Sequence, residues 1–173
     1  MNENLKKKKK GLIGFWLFVP LLLACSTSHL STKERLEKNS VIAQQVKNQV
    51  DSLDFDAEVT YMYPIRGLGR ALDYGWNVRI KNDSVYSYLP YYGRAYQLPY
   101  GGGKGLNFSC PVQSYKIHQN GDGKIKVVFN VRNEEDRYVY TFYIYNNGSF
   151  DLNVFANQRE QINFTGKLNL DRK

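Results

Sequence analysis

Hydrophobic and polar positions follow two different periods along this chain, and the change between them falls near Asp54. Before it, Leu36, Ala43, Val46, Val50 and Leu53 recur at helical spacing with Ile42 beside them, while Lys33, Glu34, Glu37, Lys38 and Lys47 occupy other faces. Apolar residues three and four apart share one face of a helix, so the pattern predicts an amphipathic helix over residues 32–52. Ser31-Thr32-Lys33-Glu34 supplies a capping box at its start. The modest apolar stripe suits packing on a sheet. A membrane-lying helix would need a strongly basic polar face and aromatic anchors, which the segment lacks.

After Asp54 the period becomes two. Trp76, Val78 and Ile80 alternate with Asn77, Arg79 and Lys81; Ile125, Val127, Phe129 and Val131 alternate with Lys124, Lys126, Asn130 and Arg132. Phe150, Leu152 and Val154 share one parity, as do Ile162, Phe164 and Leu168. Turn residues separate the runs at Lys81-Asn82-Asp83, Asn120-Gly121-Asp122-Gly123, Glu134-Glu135-Asp136, Asn146-Asn147-Gly148 and Asn157-Gln158. Short turns join only antiparallel neighbours. The prediction is an α+β fold, with the N-terminal amphipathic helix packed on an antiparallel meander of seven or eight strands. The pattern leaves an open sheet and a partial barrel equally available. In the run 138–145, Tyr138, Tyr140, Phe142 and Ile144 lie opposite Val139, Tyr143 and Tyr145, which places that strand near the sheet centre or under the helix.

The first 24 residues stand apart. Lys6 to Lys10 precede a fourteen-residue apolar run, Gly11 to Ala24, the length of a secretory leader rather than of a bilayer-spanning helix. Leu22, Ala24 and Cys25 resemble the bacterial lipobox, in which the cysteine is lipidated and becomes the first mature residue. The expected organisation is a signal peptide over 1–24, a short tether over 25–30 and one domain over 31–173. Anchoring would then run through acyl chains on Cys25.

That leader changes the charge argument. The whole chain has 24 basic and 16 acidic residues, a net of +8. Residues 1–24 hold five Lys and Glu3, so the remainder carries 19 basic and 15 acidic residues, a net of +4. Half of the positive excess belongs to the export signal, and a nucleic-acid partner is not indicated. With Cys25 lipidated, Cys110 has no intramolecular partner, and its strand parity with Leu106 and Phe108 predicts a buried thiol.

All fourteen tyrosines lie between 61 and 145, nine of them between Tyr61 and Tyr100. The Pro- and Gly-rich half of this stretch reads as a long connection, and such loops bind something or are disordered unless packed. Tyr91, Tyr92, Arg94, Tyr96, Tyr100 and Lys104 are the candidate binding residues. Tyrosine suits ligand faces, yet the same rings could pack over a sheet edge with hydroxyls on loop backbone. Residues 64–131 also hold nine basic side chains against Asp73, Asp83 and Asp122, which suits an anionic glycan, lipid head group or acidic protein as well as a solvated strand face. Gly101 to Gly105 is not a phosphate loop, because Leu98 stands where the first Gly should be and Gly105 follows Lys104.

Tyr63-Pro64-Ile65-Arg66-Gly67, Asp83-Ser84-Val85-Tyr86-Ser87-Tyr88-Leu89-Pro90-Tyr91, Gly93-Arg94-Ala95-Tyr96 and Pro99-Tyr100-Gly101-Gly102-Gly103 resemble the Bacteroidetes lipoproteins grouped as domain of unknown function 4251. The resemblance covers residues 54–170 and is most specific in the Gly-Arg-Ala-Tyr block. It implies an envelope protein and transfers no catalytic residues. Within that phylum, surface-exported lipoproteins usually carry acidic residues after the cysteine. Ser26-Thr27-Ser28-His29-Leu30 has none, which implies an outer-membrane protein facing the periplasm. Asp51-Ser52-Leu53 and Asp83-Ser84-Val85 resemble the phylum's O-glycosylation signal, making Ser52 and Ser84 candidate acceptors; both are equally a helix end and a hairpin turn.

Catalytic signals are sparse. His29 falls in the tether and His118 beside a turn, neither with a visible partner for a triad. Two histidines and one free thiol form no metal cluster of usual spacing, and no cofactor is indicated. Glu134-Glu135-Asp136 lacks the alternating oxygen ligands of a calcium loop. Paired carboxylates of a hydrolase meet only in the fold. The expectation is a non-catalytic binding or structural module of the cell envelope, with a glycan or anionic-ligand binder as the alternative and an envelope hydrolase behind it.

Overall fold

A computed structural model describes residues 31–97 and 102–171; the leader, Cys25 with its tether, and Tyr100 lie outside the described residues. Helix α1 spans Thr32–Asp51. Its capping box forms as the sequence requires: Glu34 N–H lies 3.3 Å from Ser31 Oγ, and Ser31 N–H donates to Glu34 Oε2 at 2.9 Å. The helix ends in a Schellman arrangement, with Asp54 N–H bonded to Gln49 O and Leu53 N–H to Val50 O. Leu53 therefore takes the left-handed conformation (φ 51°) that glycine usually supplies there. Among the described residues no helix is long and apolar enough to cross a membrane.

Nine strands follow: β1 (Phe55–Pro64), β2 (Arg70–Ala71), β3 (Asn77–Lys81), β4 (Ser84–Leu89), β5 (Leu106–Asn120), β6 (Lys124–Arg132), β7 (Arg137–Tyr145), β8 (Ser149–Ala156) and β9 (Ile162–Leu168). From β3 onward each strand pairs antiparallel with the next, and β1 pairs with both β3 and β9. The meander is thus a closed eight-stranded barrel, with β2 as a two-residue addition beside β1. Closure removes the free edges that an open sheet would present.

Local chemistry explains the corners. Asn82 and Asp83, both at positive φ, make the two-residue turn whose twist matches paired strands. The seam between β1 and β9 depends on Gly166. Its Cα faces Val59, the register shifts between Val59 and Tyr61, and any Cβ on Gly166 would overlap the Glu58 carbonyl. Such a bulge bends a strand, and here it lets β1 reach its last partner.

Inward positions are as the alternation predicts: Ile125, Val127, Phe129 and Val131, then Phe150, Leu152 and Val154, are buried together. Aromatic rings fill the barrel. Phe129 stacks on Tyr140 with centroids 5.1 Å apart, and Phe142 meets Phe55 edge-on at 5.5 Å. The strand carrying Tyr138 and Tyr140 is aromatic on both faces and lies between β6 and β8 in the barrel wall.

Only the second half of α1 reaches this core. Val46 and Val50 are buried within it and Ile42 packs against it, whereas Leu36, expected on the same stripe, is 65% exposed. Gln119 at the end of β5 donates to Asp51, and Gln49 donates to the Asn169 carbonyl.

Candidate functional site

The barrel has two ends. One holds the β5–β6 and β7–β8 turns; the other holds the β6–β7 and β8–β9 connections and receives the Tyr-rich segment. At this second end Ala95 bridges to Arg159, Tyr96 N–H donates to Gln158 O, and Glu160 N–H donates to Arg94 O. Residues 94–96 are a strap laid antiparallel along 158–160.

Tyr91 holds the strap. Its hydroxyl lies 2.9 Å from the Arg94 carbonyl and 3.0 Å from the Glu160 carbonyl. Gly93 leaves room beside it, because a Cβ there would stand 2.7 Å from that hydroxyl and would have to displace it. Burial, then the Glu160 carboxylate, pushes the Tyr91 hydroxyl up to about 12. The Gly-Arg-Ala-Tyr block therefore has a structural account: the glycine makes room, Arg94 and Tyr96 pair through backbone, and Ala95 forms the bridge.

Charged groups around the strap are engaged with one another. The Arg159 side chain is buried, 2.6 Å from Glu135 and 3.9 Å from Asp136. Asp136 accepts the backbone N–H groups of Arg137, Asn157 and Gln158. One Glu160 oxygen pairs with Arg66 at 3.0 Å and the other accepts Arg94 N–H at 3.1 Å. These carboxylates clamp loops together.

Apart from Cys25 and Tyr100, the predicted site residues lie within the described part of the chain. Tyr91 packs in the manner of the loop-packing reading, whereas Tyr92 and Tyr96 are exposed, Tyr92 beneath the Arg70 guanidinium at 4.5 Å. The Arg94 side chain is exposed, and Lys104 is held through its backbone N–H on Glu135 at 2.8 Å. Ser52 is exposed at the helix end, and Ser84 is half-buried at the start of β4. Cys110 is half-buried, and desolvation raises its thiol above the ordinary range. His118 is exposed on β5 opposite Lys126.

A second constellation lies on the outer barrel wall, away from the Tyr-rich segment. Cross-strand register puts Tyr143, Asp151, Thr165 and Tyr61 in one outward row over β7, β8, β9 and β1. The neighbouring row is Thr141, Asn153, Asn163 and Tyr63. Short polar side chains on β8 and β9 thus lie between tyrosines on β7 and β1, and the result is a groove of about 650 Å³. Three strand spacings separate its rims, about 14 Å.

The groove is lined with defined partners. Asn153 Nδ2 donates to Asn163 Oδ1 at 2.6 Å, and Tyr145 donates to Asp151 Oδ2 at 2.7 Å. That bond to a carboxylate raises the Tyr145 hydroxyl above its ordinary value. Lys124 sits 4.5 Å and Lys126 5.6 Å from the Tyr143 ring centroid. At the other rim Tyr61 and Tyr63 pack ring to ring at 4.8 Å, with Gly69 against both; Tyr63 remains 44% exposed. None of the groove residues was singled out from sequence. Its signal was present in the outward parities of β8 and β9, but the facing rim on β1 follows only from barrel closure.

Comparison with known proteins supports this architecture. The family model described as Domain of unknown function (DUF4251) matches residues 37–168. The chain is similar to a DUF4251 family protein from Bacteroides eggerthii DSM 20697, whose crystal structure was determined at 1.95 Å resolution. The TM-score is 0.58 at 13% identity, covering 76% of this chain and 89% of that one, a likeness of fold. Comparison with curated proteins gave no match.

Proposed function

This chain belongs to the DUF4251 family, and we propose, from its leader sequence, that it is a lipid-anchored envelope protein and, from the geometry of its barrel, that the folded domain is a non-catalytic binding module. The observation that carries the binding reading is the outer groove, where polar groups and tyrosines from five strands line one open concavity. Ligand sites are typically concave, with a few convergent polar groups set among aromatic ones. Glu135, Asp136 and Glu160 at the strap end argue against a hydrolase built on them, since each is tied to an arginine or to backbone N–H groups.

Anchoring rests on the Leu22-Leu23-Ala24-Cys25 sequence, and the periplasm-facing outer-membrane location rests on the absence of acidic residues in Ser26 to Leu30. Cys25→Ser protein should remain uncleaved or lose its membrane association; a variant that matures and still fractionates with membranes overturns the anchor. Ser52, exposed at the helix end, is the better placed of the two candidate O-glycosylation sites, and intact mass from the native host reads it out.

The binding reading is tested by affinity capture with the full-length lipoprotein and with Asp151→Arg, which fills the groove without touching the core. Material retained by the native protein and lost from the variant supports the module. Identical capture by both overturns it.

A further inference from the structure

We infer that the outer groove takes a short neutral oligosaccharide, an assignment of ligand class that rests on the binding reading above. The argument comes from what the lining groups leave unsatisfied. With Asn153 Nδ2 donating to Asn163 Oδ1, the amide pair still presents the Asn153 oxygen as an acceptor and the Asn163 nitrogen as a donor. Asp151 has one oxygen on Tyr145 and the other open, and Thr165 contributes a hydroxyl that donates and accepts. A floor of this kind is complementary to groups that both give and receive hydrogen bonds at close spacing, as the hydroxyls of a sugar do.

Charge favours a neutral ligand over an acidic one. Lys124, which also lines the groove, and Lys126 hold their ammonium groups over the Tyr143 ring at one rim, while the acidic Asp151 lies on the floor, so the groove presents both signs of charge. An anion on the floor would meet the Asp151 carboxylate and a cation at the rim would meet Lys124, so neither sign of ligand charge is matched throughout. An apolar ligand fits no better, since it would leave the amides and the acid desolvated without partners.

The rims supply the second half of the recognition. Tyr63 and Tyr143 stand on strands that flank the polar floor, so a chain lying along β8 and β9 would have aromatic walls on both sides. The apolar faces of pyranose rings can pack on such walls while their hydroxyls turn to the floor. Tyr63 is braced by Tyr61, and Tyr143 by two lysines, so neither rim must be ordered on binding.

The test is binding of the full-length lipoprotein, in detergent, to a printed array of short neutral hexose and N-acetylhexosamine oligosaccharides. Uronic-acid oligosaccharides and extended peptides serve as the other arms. Neutral oligosaccharides should bind, with affinity insensitive to added salt. Asn163→Ala and Tyr63→Ala should each weaken that binding about tenfold or more, the loss of one buried hydrogen bond or stacking contact. Both side chains face outward, but each makes one native contact, so the unfolding midpoint should fall only modestly and a melt of each variant confirms that it is folded at the assay temperature. The inference is overturned if no neutral oligosaccharide binds, if either variant binds as well as the native protein, or if only the acidic or peptide arm is recognised. Groove-dependent capture of a protein alongside a blank neutral array would overturn the ligand class and leave the binding module standing.

Discussion

Inside the barrel, the Tyr140 hydroxyl lies 2.8 Å from Ser87 Oγ, and Ser87 in turn donates to the Leu106 carbonyl at 2.7 Å. Since a serine hydroxyl has one hydrogen and Leu106 takes it, Tyr140 is the donor to Ser87. A buried phenol is thereby satisfied across β7 and β4, and burial drives its ionisation far above the ordinary tyrosine range. Ser87→Ala would leave the phenol without its acceptor, and the expected loss is about 1–3 kcal/mol. Tyr140→Phe removes the donor and spares the Ser87–Leu106 bond, so its loss should be smaller, about 1 kcal/mol. Urea unfolding of both variants and of the double variant measures the coupling; additive losses would refute the pairing.

Gly93 and Tyr91 should be coupled in the same way. Gly93→Ala places a methyl against the Tyr91 hydroxyl and should loosen the strap, read as faster amide exchange at Tyr96 and Glu160. In a Tyr91→Phe background the closest obstructing atom is gone and only the ring carbon at 3.1 Å remains, so the alanine should add less further exchange than in the native protein. An unchanged effect of Gly93→Ala in that background would show that the clash lies elsewhere.

Alkaline pH should weaken the fold through the same residue. The Tyr91 hydroxyl is raised from 10.0 to about 12, so the folded state holds its proton more tightly than the unfolded one. That contribution is complete below pH 10.0 and is lost as pH rises through about 12. Tyr138 shifts in the same direction, through burial first. Urea midpoints should therefore fall above pH 10, and the fall should be shallower in Tyr91→Phe, which has no proton to release at that position. A parallel fall in the two proteins would remove Tyr91 from the account.

Gly166→Ala should prevent closure between β1 and β9, because the new methyl would overlap the Glu58 carbonyl and press on the Phe150 ring 2.8 Å away. Backbone cannot yield as a flexible side-chain tip can, so a loss above about 4 kcal/mol is expected. The control is Gly121→Ala, where nothing lies within 4 Å and φ is not positive; its change should stay within about 0.5 kcal/mol. Circular dichroism melts of the two variants separate a closure defect from a general intolerance of alanine.

Why some of this was legible in the sequence and some was not follows from the range of the forces involved. The capping box at Ser31 and Glu34, the Asn82-Asp83 turn and the inward parities of β6, β8 and β9 depend on neighbours within a few residues, and the structure repeats them. Leu36 failed to follow its stripe because helical periodicity does not say how far along a helix its partner extends. The Tyr-rich segment stands out in the sequence by composition alone. Its chemistry depends on Arg159 and Glu160, more than sixty residues away, and spacing could not pair them with Tyr91 and Arg94.

By itself the sequence determined the element types, the antiparallel pairing of strands joined by short turns and the inward parities of β6, β8 and β9, because period and turn length are properties of the local backbone. Tertiary structure alone decided that β1 pairs with β9, since that seam is long-range and turns on one missing Cβ at Gly166. The same closure set Tyr61 and Tyr63 opposite Tyr143 and made a groove from strands that are far apart in the chain.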